Sequence, residues 1–343
     1  MAGVPRGLRS LRTPGCRRYL PPMKHRMFSK LPLLFPLASV LAIAACSSDS
    51  TQTSTTTGAG GGTGSGTTSS VGGGSATSTS SSTAATGTGG SENACTGSDF
   101  SDPNAAKVMI GTISAKIVDL AGQPVPKDLS AQVCGTDICI TGTTNALGAV
   151  TEQVNQNLVK PAFKYGDART FAKLLIPVKA GSTDFGTLTT AALPVAGADF
   201  APGKTSVSGD VSIEIAANGI AEVDPLIYPE VIDQQLRAVT IPVDKVSAVL
   251  AGAPTIAQLY GVAPVDTVFC PPAKVTVPNA DPVKLPAGAD VEFLILNVET
   301  IESWGPYGEW QKVSDGKVSA DGKTITTTEG LPVLHLFGIR KKP

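Results

Sequence analysis

The chain has 343 residues and is near neutral in sum, with 27 Lys+Arg against 28 Asp+Glu, while 37 glycines, 26 prolines and 5% aromatic residues set its texture. The neutrality hides an asymmetry: the first 45 residues hold 8 of the basic side chains and none of the acidic ones, leaving 19 against 28, a formal net of -9, for the rest. An acidic remainder has no broad attraction for nucleic acid or anionic lipid, and so much Gly and Pro excludes an architecture of long helices.

Lys24, Arg26 and Lys30 precede an apolar run, Leu31–Ile43, of 13 residues. That is short for a membrane-spanning helix, which needs about 20 apolar residues, and right for a secretory signal over residues 1–45. Arg6, Arg9, Arg12, Arg17 and Arg18 stand in front of a signal complete without them, so Met23 or Met27 is a reasonable alternative start. The run ends Ile43-Ala44-Ala45-Cys46, which resembles the lipobox of bacterial lipoproteins. The resemblance implies a diacylglycerol thioether on Cys46, cleavage before it and N-acylation by a palmitate-type chain. It therefore implies a membrane as partner. Ser47 and Ser48 follow, with no aspartate at the second mature position. By the enterobacterial sorting pattern this implies the outer membrane, on its periplasmic or extracellular face.

Residues 46–94 are almost wholly Ser, Thr, Gly and Ala. Such a stretch has no core to bury, and ordering it would cost entropy without return. It is expected to be a disordered tether with a span of roughly 35–40 Å. A lipobox followed by a Ser/Thr/Gly linker resembles the tethered lipoproteins common in myxobacteria.

Residues 95–343 are expected to fold as a mainly β region, one large or two tandem antiparallel β-sandwich domains, 95–200 and 201–343. Alternation predicts strands at Val108–Leu120, Ser130–Val133 and Ile138–Thr143, with turns at Ala121–Pro126 and Thr144–Ala149. No alternation is visible from Gln153 to Lys160. Phe171–Val178, Phe185–Leu193, the segment around Val211, Ile213 and Ile215, Ile220–Val223 and Arg237–Val243 are further strands. Val246–Tyr260 is the best helical window and reads as two short helical turns split at Gly252 and Pro254. Val291–Leu296 is apolar on both faces, as in a central strand. Val313–Val318 and Thr324–Thr328 flank a Ser-Ala-Asp-Gly hairpin turn, and Leu331–Ile339 is the final strand.

Gly111, Ile117-Val118-Asp119, Gly122, Pro124 and Val125, followed by Thr144-Asn145 and Gly148, resemble the start of a carboxypeptidase-regulatory-like, transthyretin-like sandwich. The resemblance covers about 60–80 residues, places Gly111 further from Asp119 than usual, and implies a binding or structural accessory domain for 95–200.

Cys95, Cys134, Cys139 and Cys270 form an even set in an oxidising compartment, for which three pairings exist. Cys134 with Cys139 would close a short loop and leave Cys95 with Cys270. Cys95 with Cys134 or Cys139 is the competing arrangement. With one histidine after position 45, His335, the C-x4-C spacing is a poor zinc site.

His335 lies in an apolar strand pattern and is expected at a surface or edge position. Gly-x-Ser-x-Gly, His-Glu-x-x-His and P-loop motifs are absent from the sequence. Glu299 and Glu302 near aromatic residues allow a carboxylate-based glycoside hydrolase as the third reading. The segment from Glu302 to Trp310 gathers Trp304, Tyr307 and Trp310 among Gly and Pro. These aromatics either plug the end of a core or, if exposed, meet a glycan, a solute or a surface protein. No cofactor is expected. Calcium is the one conceivable ion, around Asp99, Asp102 and Asn104 or at Asp315 and Asp321, and neither spacing matches an EF-hand. The leading expectation is a non-enzymatic cell-envelope lipoprotein with a structural or adhesive module, followed by a glycan- or solute-binding lipoprotein.

Overall fold

The computed structural model describes residues 95–281 and 283–343. The expected signal segment 1–45, Cys46 and the expected tether up to residue 94 lie outside the described residues.

The first half is a two-layer sandwich. Its strands are β1 (Lys107–Val118), β2 (Ser130–Cys134), β3 (Cys139–Thr143), β4 (Ala149–Val159), β5 (Ala162–Tyr165), β6 (Leu174–Pro177) and β7 (Gly181–Thr189). One sheet has the order β4-β1-β7 and the other β3-β2-β5-β6. The expectation of a purely antiparallel arrangement is corrected here, because β7 runs parallel to β1. The segment without visible alternation is the long strand β4. It is mostly exposed, with Val150, Val154 and Leu158 turned inward, and a register shift between Ile110 and Thr112 of β1 breaks its period.

The second half contains β8 (Thr205–Ser208), β9 (Val211–Glu214), β10 (Ile220–Glu222), β11 (Arg237–Ile241), β12 (Gln258–Ala263), β13 (Thr267–Pro278), β14 (Asp290–Leu296), β15 (Trp310–Val318), β16 (Thr324–Thr327), β17 (Leu331–Leu334) and β18 (Leu336–Lys341). Nine of these follow one hydrogen-bonded path, β11-β12-β18-β14-β15-β16-β13-β9-β8, with β10 and β17 attached to β13. The path nearly closes. The Ala238 N–H of β11 donates to Ser208 Oγ of β8 at 3.0 Å, and the Thr240 hydroxyl donates to Asp210 at 3.2 Å. Gly209 makes the approach possible, since a Cβ there would lie 2.7 Å from the Ala238 carbonyl oxygen. A nearly closed barrel thus stands where a second sandwich was expected.

Two further expectations are corrected. Of the two short helical turns expected, the first is present, as a 3-10 turn at Val243–Lys245 followed by turns through residue 252, whereas the second is not, because Gln258–Ala263 is the fully buried strand β12. The last strand is two strands, because β17 pairs with β13 whereas β18 pairs with β12 and β14, and the chain bends at His335 between them.

The core has two parts. Val211, Ile213, Val275, Phe293, Ile295, Phe337 and Ile339 belong to the cluster that fills the barrel. Leu259, Leu294, Leu296 and Leu336, on the opposite faces of their strands, join Ile113, Val133, Phe163 and Leu175 in the cluster of the sandwich. Both faces of β14 are therefore buried, one in each core. Disulfides link Cys134 to Cys139 across the β2–β3 hairpin and Cys95 to Cys270 of β13, with Cα–Cα separations of 4.0 and 5.1 Å.

Candidate functional site

The aromatic segment singled out in the sequence is the loop between β14 and β15, and it is built around Asn297. This side chain is fully buried. Its Nδ2 donates to the carbonyls of Ile301 at 3.1 Å and Gly305 at 2.7 Å, while its Oδ1 accepts from the Glu299 N–H at 3.1 Å. The Asn297 carbonyl accepts from the Gly308 N–H at 2.9 Å. One amide thus holds both arms of the loop.

The loop is fastened to the sandwich by ion pairs. Lys160 Nζ lies 2.7 Å from Glu302 Oε1, which also accepts from the Tyr307 N–H. Lys173 Nζ lies 2.5 Å from Glu299 Oε1, and Lys164 Nζ 3.6 Å from its other oxygen. Burial alone would raise the Glu299 carboxyl, but Lys173 and Lys164 more than reverse that and hold it below its usual range. Burial pushes the Lys164 ammonium down to about 8, against the attraction of Glu299. Lys164 also stands 5.5 Å from the ring centroid of Tyr307. The two carboxylates considered for glycoside hydrolysis are therefore each committed to lysine.

His335 is buried and not at a surface or edge position, which corrects that expectation. Its Nε2 lies 3.7 Å from Asp266 Oδ1, while its Nδ1 has no hydrogen-bond partner. Burial pushes the imidazole down to about 4, so it is neutral at pH 7. Burial, and then the neighbouring Glu299 charge, raise Asp266 to about 6.

The three aromatic candidates do not share one exposed patch. Trp304 is half-buried against the barrel core. Tyr307 is 2% exposed, and its hydroxyl donates to the Cys134 carbonyl at 3.4 Å. Trp310 is half-buried against the sandwich core and lies over Gly338 of β18, where a Cβ would come within 3.2 Å of the indole. Its Nε1 is buried without a partner. Two open grooves flank this loop. One, of 260 Å³, is lined by Lys160, Pro177, Tyr307 and Glu309; the other, of 320 Å³, by Pro177, Val249, Pro254, Glu309 and Trp310. They share Pro177, Gly308 and Glu309 as lining residues. Lysines 160, 164 and 173, Asn297 and Asp266 escaped sequence reasoning. The one available signal was Lys164 and Lys173 sitting inside the apolar runs AFKY and FAKLLIPV.

At the positions considered for calcium, Asp99 and Asp102 accept the N–H groups of Ser101 and Asn104, Asp315 pairs with Lys312 and Lys342, and Asp321 accepts from Ser319 and Lys323. Among the described residues no group of three or more His, Cys, Asp or Glu is placed to hold a metal.

No family model matches the chain, and no curated protein does. Among solved structures, one described as a carbohydrate binding protein from Bacteroides uniformis aligns over 51% of this chain and 92% of its own, with 10% identity and a TM-score of 0.19. A likeness of that degree carries no argument about this chain's ligand.

Proposed function

We propose that this chain is a binding module of the bacterial cell envelope, tethered through an acylated Cys46 and seating a glycan or a sugar-like solute beside Trp310. The observation that carries the reading is the pair of adjoining grooves along residues 307–310. Pro177, Pro254 and the half-buried Trp310 give them apolar walls, and the exposed Glu309 gives them an acceptor for hydroxyl groups. Apolar surface with a few fixed polar groups is the usual make-up of a small-ligand site. Asn297 and the lysine pairs pre-form the loop, which lowers the ordering cost of binding. The lipobox residues Ile43-Ala44-Ala45-Cys46 support the tether.

The test is a glycan array probed with the full chain and with Trp310→Ala, using Trp310→Phe to keep a ring at the position. Binding is expected for the native chain and for the phenylalanine variant, and lost on truncation. Equal signals from all three, or none from the native chain, refute the groove. Mass spectrometry of the native amino terminus tests the tether. A triacylated or diacylated Cys46 is expected, and an unmodified terminus elsewhere refutes it.

A further inference from the structure

A second surface lies away from the aromatic loop, in the segment that leads from β10 to β11. Residues 205–236 contain six carboxylates and no Lys, Arg or His. Of these, Glu214 pairs with Lys274, and Asp233 with Arg169 and Arg237. Glu222, Asp224 and Glu230 form no ion pair among the described residues.

The same segment turns large apolar side chains outward. Leu226 is 91% exposed and Val231 74%, and Ile220, Ile227 and Ile232 are exposed beside them in sequence. This is not slack chain. The Tyr228 ring is buried and its hydroxyl accepts from the Val265 N–H at 3.0 Å. Arg169 donates to the Ile227 carbonyl and Arg237 to the Ile232 carbonyl, and Gln234 donates to the Tyr228 carbonyl. The backbone is pinned from within while the aliphatic groups stay in water. A groove of 460 Å³ opens between Phe200, Glu222, Val231 and Gln234. Phe200 roots it in the barrel core, packing edge-on to Phe269 at 5.6 Å. β10 forms one edge of this surface, and among the described residues it is paired on one side only, with β13.

We propose that this face is a docking site for a cationic, apolar protein segment in extended conformation, laid beside β10. Charge decides the occupant. Glu222 and Asp199 line the groove beside Phe200 and Val231, and the unpaired Asp224 and Glu230 stand in the same exposed aliphatic segment, so lysine or arginine side chains alternating with aliphatic ones complement both features. A second copy of this chain would bring the same carboxylates face to face, and an anionic lipid surface would be repelled by them. The pinned backbone presents the aliphatic groups without an ordering cost on this side of the interface.

The test is fluorescence anisotropy with the full chain and a labelled peptide of alternating lysine and valine. A lysine/serine peptide of the same charge serves as control. Saturable binding is expected that weakens as salt rises, with the control at least about tenfold weaker. Leu226→Ser combined with Val231→Ser, and separately Glu222→Gln combined with Glu230→Gln, should each lower affinity about tenfold or more with unchanged circular dichroism. Absence of binding, equal binding of the control peptide, or native affinity in both variants would overturn the proposal. So would Leu226-dependent self-association, or Leu226-dependent partition of the chain into phosphatidylcholine vesicles.

Discussion

Lys173 of the sandwich and Glu299 of the barrel, 126 residues apart, meet with Nζ 2.5 Å from Oε1. Lys164 shares the same carboxylate. All three side chains are mostly buried, at 17%, 16% and 3% exposure for Lys173, Glu299 and Lys164. In such a site, deleting one charge strands the others, whereas deleting all of them removes the desolvation cost as well. Glu299→Gln is therefore expected to cost about 3 kcal/mol, and Lys164→Met, Lys173→Met and Glu299→Leu together clearly less. Urea unfolding of the two proteins measures this. A triple variant less stable than the single one would refute it.

The depressed Lys164 ammonium makes stability depend on alkaline pH. The folded chain holds this proton with a value of about 8, the unfolded chain near 10.5. Between those values the unfolded chain binds more protons, so this group adds stability as pH rises through the window, and below about 8 its cost is felt in full. Native protein should accordingly gain about 2 kcal/mol relative to Lys164→Met between pH 7.5 and 10. Parallel unfolding curves for the two proteins across that range would exclude it.

The two disulfides close loops of very different size, with sequence separations of 175 and 5. By the loop-entropy estimate they are worth about 5 and about 2 kcal/mol. Cys95→Ser with Cys270→Ser should lower Tm more than Cys134→Ser with Cys139→Ser. The larger loop encloses the whole sandwich. Pulling between residue 95 and the C-terminus should leave the sandwich unextended until a reductant is added, which then releases about 600 Å of chain. The same extension without reductant would contradict the link.

Asn297 makes three side-chain bonds within its own loop. Asn297→Ala leaves the buried Gly305 carbonyl and the part-buried Ile301 carbonyl without their donor and should cost about 2 kcal/mol. It should also loosen the floor of the groove, seen as a red shift of tryptophan emission and weaker ligand binding at unchanged secondary structure. Native emission and binding in the variant would show that the loop is held by other means.

Much of the strand content was legible because its cause is local. Alternation marks β1, β2 and β9, and the Ser-Ala-Asp-Gly turn marks the β15–β16 hairpin, whose Ser319 and Asp321 side chains cap their own backbone. β12 was missed because it is buried on both faces and therefore has no period of two, and its Val/Leu/Tyr content looks the same on a helix. β17 and β18 were read as one strand because nothing in Leu334-His335-Leu336 signals a change of partner. Of the aromatic site, the residues were visible but their separation was not. Trp304 and Trp310 turn toward different cores because the loop between them is folded around Asn297.

By itself the sequence determined that residues 95–343 would be strand-rich and that positive charge is concentrated in the first 45 residues. Both follow from side-chain character read along the chain. Only the tertiary structure decided that the second half closes on itself, that three lysines converge on two glutamates more than 120 residues away, and that Leu226 and Val231 remain in water. These depend on which strand edges meet and which faces find partners, and burial across such distances is a property of the folded arrangement, with no local pattern to announce it.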